Sequence, residues 1–299
     1  MKKAIYFLMD VFTNQHYSGN QLAIFPDATQ IPDDLLPKIA RELNLSETVY
    51  LYPKTHPDAD FKMRIFTPAS ELPTAGHPTI GTSIFLARKI DHENNEIYSL
   101  TLEQKIGNIP VQVQIVNNLP VKATMEQPLP NFGEIFEERQ VMAELIGLNQ
   151  EDLLEFPVQL VGCGVPYVII PVKSIDLIKK IGFRLDRYNE LKKSFGGAFI
   201  YAFTPSGETK DGKVHGRMFA PEAGILEDPA TGSANGPLGC YLTKYGILQS
   251  PYLSEQGFEM GRPSIIEIEI DKGTDENIRS VKVGGEAVLT GKGEIYLTS

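Results

Sequence analysis

The sequence predicts an α+β protein of two pseudo-symmetric domains, each a curved β-sheet or barrel around a central α-helix. Three observations carry this. One stretch occurs twice: Arg64–Leu86 aligns with Arg217–Leu242 through Arg64/Arg217, Phe66/Phe219 and Pro68/Pro221. After a three-residue insertion in the second copy, Gly76/Gly232, Phe85/Tyr241 and Leu86/Leu242 also align. The two glycines are 156 residues apart, about half of the 299-residue chain. Short strand-like runs are many and do not alternate regularly with helices, which argues against a doubly wound parallel sheet. Each half holds one long, mostly apolar helical segment directly after its glycine.

Taken in order, Ala4–Met9 is an apolar run ended by Asp10, and Gly19-Asn20 is a turn signal before a second strand at Gln21–Phe25. Asp34 is the expected N-cap of a helix with Pro37 in its first turn and Leu35, Ile39 and Leu43 on one face, ending near Asn44. Val49–Tyr52 and Phe61–Phe66 are strands by β-branched and aromatic content and by alternation. Thr67–Pro73 reads as loop. Gly76-His77-Pro78 opens a helix to about Lys89, since proline suits the first turn. Tyr98–Glu103, Ile109–Val116 and Val121–Glu126 are three further strands.

Gln127–Pro130 is the linker, so the expected domains are 1–127 and 128–299, with the last strand able to return to the first domain. Glu138–Ile146 is a helix closed by Gly147. Tyr167–Val172, Ala198–Phe203 and Val214–Phe219 are strands, with helices at Ile175–Ile181 and Tyr188–Lys193. The second apolar helix runs from about Ser233 to Tyr245. Ile265–Ile270, Ser280–Val283, Ala287–Leu289 and Ile295–Leu297 are expected as separate closing strands.

Hydrophobic residues are 42% and charged residues 22%, as in globular proteins generally, and the length suits two domains. The net charge of −10, without a basic stripe, speaks against nucleic acid or an anionic membrane as partner. Asp10 ends the first apolar run too early for a signal peptide, and no stretch approaches a membrane span. Cys163 and Cys240 fit no metal-ligand spacing, so the expectation is a cytoplasmic protein with free thiols.

A helix N-terminus presents unpaired N–H groups and positive potential, and glycine lets a ligand approach them. Gly76-His77 and Gly232-Ser233 are therefore candidate anion cradles, two halves of one site for a small carboxylate; the alternative is two tight turns before core helices. His77 can hydrogen-bond substrate or shuttle a proton, or be structural. Asp228 enters the second cradle, or merely makes a turn before Pro229. Glu47 could belong to a capping box with Asn44. Because a strand follows it, Glu47 is instead a carboxylate among apolar neighbours, an environment that suits a base and then an acid. No HExxH or other metal-ligand spacing, GxSxG elbow, complete phosphate loop or dinucleotide fingerprint occurs, so no cofactor and no metal are expected.

The segments Asp10–Thr13, Gly19-Asn20, Ile39–Thr48, Thr74–Thr79 and Asp228–Ala234 together resemble the PhzF family of phenazine-biosynthesis isomerases, within the diaminopimelate-epimerase fold. The resemblance runs from about residue 5 to the end of the chain. It implies two pseudo-symmetric domains with the active site in the cleft between them, cofactor-free acid/base chemistry and a homodimer. It assigns the essential glutamate to Glu47, its catalytic partners to His77, Asp228 and Ser233, and substrate binding to Ser46, Gly76 and Gly232. The epimerases' two facing cysteines have no counterpart at either helix start, which excludes a two-thiol racemase. The expected activity is a proton shift on a small carboxylate, with a catalytically silent metabolite-binding protein as the alternative.

Overall fold

The structure, a computed structural model, describes residues 2–92 and 96–297. The chain divides into two units. The first comprises Met1–Glu126, Glu222–Gly224 and Gly284–Ser299; the second comprises Gln127–Pro221 and Ile225–Val283.

In the first unit, β1 (Lys2–Val11) pairs antiparallel with β2 (Asn20–Phe25). Helix α1 (Leu36–Leu43) carries the chain back, so that β3 (Glu47–Pro53) runs parallel to β2. β4 (Phe61–Phe66) and β5 (Glu71–Leu72) follow as antiparallel neighbours. After helix α2 (Gly76–Ala87), β6 (Ile97–Gln104) lies parallel to β4, and β7 (Gly107–Val116) and β8 (Leu119–Gln127) extend the meander.

The second unit opens with β9 (Asn131–Ile135), α3 (Arg139–Leu145), β10 (Gln159–Gly162) and β11 (Pro166–Pro171). Then come α4 (Ile175–Lys180), α5 (Leu185–Leu191), β12 (Phe199–Thr204), β13 (Gly212–Ala220) and β14 (Ile225–Asp228). Helix α6 (Gly232–Lys244), β15 (Tyr252–Gln256), β16 (Ser264–Lys272) and β17 (Ile278–Leu297) complete the chain. The pairing scheme repeats: β11 is parallel to β12, β12 antiparallel to β13, β13 antiparallel to β14 and parallel to β15, and β15 antiparallel to β16.

The repeated residues make the same contacts in each unit. Arg64 binds Glu71 through Nε (2.8 Å) and Nη2 (3.0 Å), tying β4 to β5. Arg217 binds Glu227 through Nε (2.7 Å) and Nη2 (2.8 Å), tying β13 to β14. Each guanidinium also sits over the aromatic ring two residues on, Phe66 at 5.1 Å and Phe219 at 5.4 Å. Phe66 meets Tyr50 edge-on, and Phe219 stacks on Phe183.

Every residue of α2 is buried, as its lack of a polar face requires. Ser83 and Thr79 return their hydroxyls to carbonyls four residues earlier, so their burial leaves those protons satisfied. Gly81 is the contact of α2 with the sheet: a Cβ there would lie 2.6 Å from Val11 and 2.8 Å from Leu22. Gly81→Leu is therefore expected to destabilise the first unit by about 1–3 kcal/mol or more, because β1 and β2 must be pushed off the helix; chemical unfolding with a midpoint equal to the parent's would contradict this packing.

Several expectations need correction. Asp34 does not cap α1: the N-cap position is Leu35, no side chain caps it, and Asp34 instead holds Lys38 at 3.0 Å across one helical turn. Asn44 does end the helix, in the left-handed conformation. The segment 225–228, to which no strand was assigned, is a strand because β13 and the Arg217 ion pair recruit it. Of the expected closing strands, Ile265–Ile270 is a strand of its own within β16, whereas the other three are one, β17, whose residues 287–297 pair with β1. Its glycines look like breaks, but Gly293 makes room for the Tyr6 ring, which a Cβ would strike at 2.4 Å. The short strands β9, β10 and β15 carry too little periodicity to be read from sequence.

Candidate active site

Ser46, Glu47, Gly76 and His77 lie in the first unit; Asp228, Gly232 and Ser233 lie in the second. The left-handed Asn44 reverses the chain after α1, half-buried Ser46 follows, and Glu47 enters β3 opposite Leu22. Glu47 is 8% exposed and His77 3%. His77 is the second residue of α2, and its Nε2 lies 3.1 Å from Glu47 Oε2, a close approach without the alignment of a full hydrogen bond.

The other ring nitrogen of His77, Nδ1, is 3.2 Å from Asn20 Nδ2. That amide can donate to Nδ1 only in the tautomer whose ring proton sits on Nε2, the nitrogen facing the carboxylate. Burial pushes the His77 pKa down to about 3, and a backbone hydrogen bond with Gln21 opposes this only in part. The ring is therefore neutral at neutral pH.

The sign of this shift has a thermodynamic consequence. A base whose folded pKa is lowered resists protonation, so stability is lost as pH falls below the unfolded value of 6.5 toward about 3. In a two-dimensional NMR titration the His77 ring is expected to show no protonation step between about pH 5 and 8; a midpoint near 6.5 would contradict its burial as an uncharged ring.

At the start of α2, Ala75 occupies the N-cap in extended conformation and offers no side-chain acceptor, so no side chain caps the helix tip at Gly76 and His77. The second unit has the same layout. β14 ends at Asp228, a short turn follows, and Gly232 opens α6 behind Thr231, again with no side-chain cap. Asp228 is buried, and Thr231 Oγ1 donates to its Oδ2 at 2.5 Å. Half-buried Ser233 has its Oγ 2.7 Å from the Tyr167 hydroxyl on β11. Gln127 Nε2 donates to the Gly232 carbonyl at 2.9 Å, and Gly236 leaves space for that side chain, whose Oε1 a Cβ would meet at 2.0 Å.

Asn20 and Tyr167 contact His77 and Ser233, and neither was singled out as a candidate site residue from the sequence. Gly19-Asn20 was visible as a turn and as one of the family-like segments; that the asparagine faces His77 depends on β1–β2 pairing. Among the described residues, one cluster, Glu208, His215 and Glu259, brings three ligand-type atoms within 4.8 Å. Glu255 and Glu259 already engage both His215 nitrogens, at 3.1 and 2.9 Å, and Lys179 holds Glu208 at 2.7 Å, so the cluster reads as an ion-pair network. A hollow of about 640 Å³ among Phe132, Lys244 and Lys272 lies at the far end of α6 from Gly232 and includes no predicted site residue. Among the described residues no helix is long and apolar enough to cross a membrane.

Known proteins share this organisation. The family profile PhzC-PhzF, described as phenazine biosynthesis-like protein, matches residues 9–293. An uncharacterized isomerase of Clostridium acetobutylicum is 34% identical, with 99% of both chains covered. The trans-2,3-dihydro-3-hydroxyanthranilate isomerase of Pseudomonas fluorescens is 33% identical over 98% of this chain and 99% of its own. The crystal structure of a Bacillus anthracis phenazine biosynthesis protein of the PhzF family superposes with a TM-score of 0.89 at 28% identity, covering 99% of this chain and all of that one.

Proposed function

The chain belongs to the phenazine biosynthesis-like family and is an isomerase, and we propose that it moves a proton on a small carboxylate substrate by general acid/base catalysis without a cofactor. The observation that carries this reading is the approach of two buried groups, Glu47 and His77, at 3.1 Å. Glu47 takes a proton from a substrate carbon and returns it at another. Neutral His77 steadies the carboxylate and keeps it from turning away. Asp228 and Ser233 orient the substrate, and Ser46 with the N–H groups at Gly76 and Gly232 binds its carboxylate.

Proton transfer of this kind contributes about 10²–10⁴-fold. Holding the C–H bond in line with the carboxylate supplies much of the remainder. The relatives' named substrate, trans-2,3-dihydro-3-hydroxyanthranilate, is a cyclic carboxylate and so the first compound to test. Shared fold does not fix pocket shape, so a wider carboxylate library belongs beside it.

The test is incubation in deuterated water followed by NMR. Isomerisation with deuterium gained at carbon supports the proposal. Calorimetric binding of a carboxylate with no exchange on any compound would overturn it in favour of a silent metabolite-binding protein. The proposal extends to a homodimer in the cytoplasm, which sedimentation and cell fractionation would check.

A further inference from the structure

A second duplicated motif lies outside the proposed machinery. The dipeptide Glu-Gln, which also closes β8 as Glu126-Gln127, closes the corresponding strand in each unit, as Glu103-Gln104 at the end of β6 and Glu255-Gln256 at the end of β15. Both strands run parallel to the strand bearing the repeated arginine, with Lys62 opposite Glu103 and His215 opposite Glu255. Each glutamate clamps a loop. Glu103 accepts from the Thr55 and His56 N–H groups at 2.7 and 2.9 Å and from the Thr55 hydroxyl. Glu255 accepts from the Glu208 and Thr209 N–H groups at 2.6 and 2.8 Å and from the Thr209 hydroxyl at 2.5 Å.

Side chains alternate along a strand, so the adjacent glutamine faces the other way, toward the buried helix. In the first unit this contact is slight: Gln104 Nε2 donates to Thr79 Oγ1 (2.8 Å), which donates to the Ala75 carbonyl (2.6 Å). In the second unit it is extensive. Gln256 Nε2 donates to the Asp228 carbonyl (2.7 Å) and to Thr231 Oγ1 (2.9 Å), while Oε1 accepts from the Thr231 N–H (3.2 Å). Tyr201 and Asn235 approach the same Oε1 at 3.4 and 3.5 Å.

We propose that Gln256 is a positioning residue that holds the loop 228–231 and aims the Thr231 hydroxyl proton at the Asp228 carboxylate. The reasoning is one of donor and acceptor accounting. Thr231 Oγ1 receives an amide proton from Gln256, so its own proton points to Asp228 Oδ2, 2.5 Å away. The Thr231 N–H is consumed by Gln256 Oε1. Gly232 and Ser233, whose N–H groups have no acceptor within the helix, are thereby the donors at the tip of α6 that remain for a substrate anion. The catalytic part of this inference rests on the function proposed above; the placement of the loop does not.

Two variants test it. Gln256→Met keeps the volume and removes every hydrogen bond. Gln256→Glu keeps the acceptor for the Thr231 N–H but, as a carboxylate, removes both donors and draws the Thr231 hydroxyl away from Asp228. Amide hydrogen exchange at Thr231 is expected to rise at least tenfold in the methionine variant and to stay near the parent rate in the glutamate variant. With trans-2,3-dihydro-3-hydroxyanthranilate, kcat is expected to fall about 10²-fold in both while KM changes little, because a displaced loop in the methionine variant and a turned Thr231 hydroxyl in the glutamate variant spoil alignment more than affinity. Unchanged Thr231 exchange in Gln256→Met, or unchanged kcat in both folded variants, would overturn the proposal. A parent protein inert toward this compound and the carboxylate library would defeat the functional reading, and the Thr231 exchange rates would then decide on Gln256 alone.

Discussion

Glu47→Gln is expected to slow exchange of substrate C–H with deuterated solvent by about 10²–10⁴-fold while leaving carboxylate binding nearly intact. The amide keeps the size of the side chain and still offers an oxygen to His77 Nε2, 3.1 Å from the present carboxylate oxygen. What it loses is basicity, because an amide does not accept a proton from carbon at neutral pH. The N–H groups at Gly76 and Gly232, proposed to bind the carboxylate, are untouched, so calorimetric affinity is the control that separates lost chemistry from lost structure. A Glu47→Gln variant with undiminished exchange would remove Glu47 from the mechanism, whatever carries the proton in its place.

His215→Leu has the largest expected effect on stability, about 3–5 kcal/mol, because it removes the charged partner that Glu255 and Glu259 share. His215 and Glu255 are fully buried and Glu259 nearly so. Burial alone would lower the imidazole pKa, but Glu255 and Glu259 on either side more than offset it and hold the group up at about 9. Both carboxyls, which burial alone would raise, are held below their ordinary value by hydrogen bonds from His215, joined at Glu255 by bonds from Thr209 and the Glu208 N–H.

The pH dependence follows from these directions. A raised folded pKa gives stability that is complete below 6.5 and lost as pH rises through about 9. At about 1.4 kcal/mol per pKa unit, that loss is about 3 kcal/mol. The lowered carboxyls act oppositely: their contribution is present above 4.5 and lost as pH falls. Denaturant unfolding of the parent should thus weaken from about pH 6.5 to 9, and in His215→Leu this part of the slope should vanish. An alkaline slope equal to the parent's in the variant would show that the imidazolium is not its source.

Glu47, His77, Asp228 and Ser233 could be proposed from the sequence because they sit in local motifs beside glycine-led helices, where spacing itself signals geometry. Asn20, Tyr167 and Gln256 could not. Each reaches its partner across strands, over 57 residues from Asn20 to His77 and 66 from Tyr167 to Ser233, and sequence periodicity does not report such distances. The Glu-Gln dipeptides were equally hidden, since two common residues become a motif only when both strands are seen to end at the same place in their units.

By itself the sequence determined the α+β class, the duplication, the two apolar helices and the family, because these depend on period, on turn chemistry and on runs of adjacent residues. Only tertiary structure decided that β17 is one strand, that 225–228 is a strand at all, and that His77 is uncharged. Strand pairing and burial are properties of what surrounds a segment. A glycine under the Tyr6 ring, a loop recruited by Arg217 and an imidazole removed from water each take their character from neighbours that the local sequence does not contain.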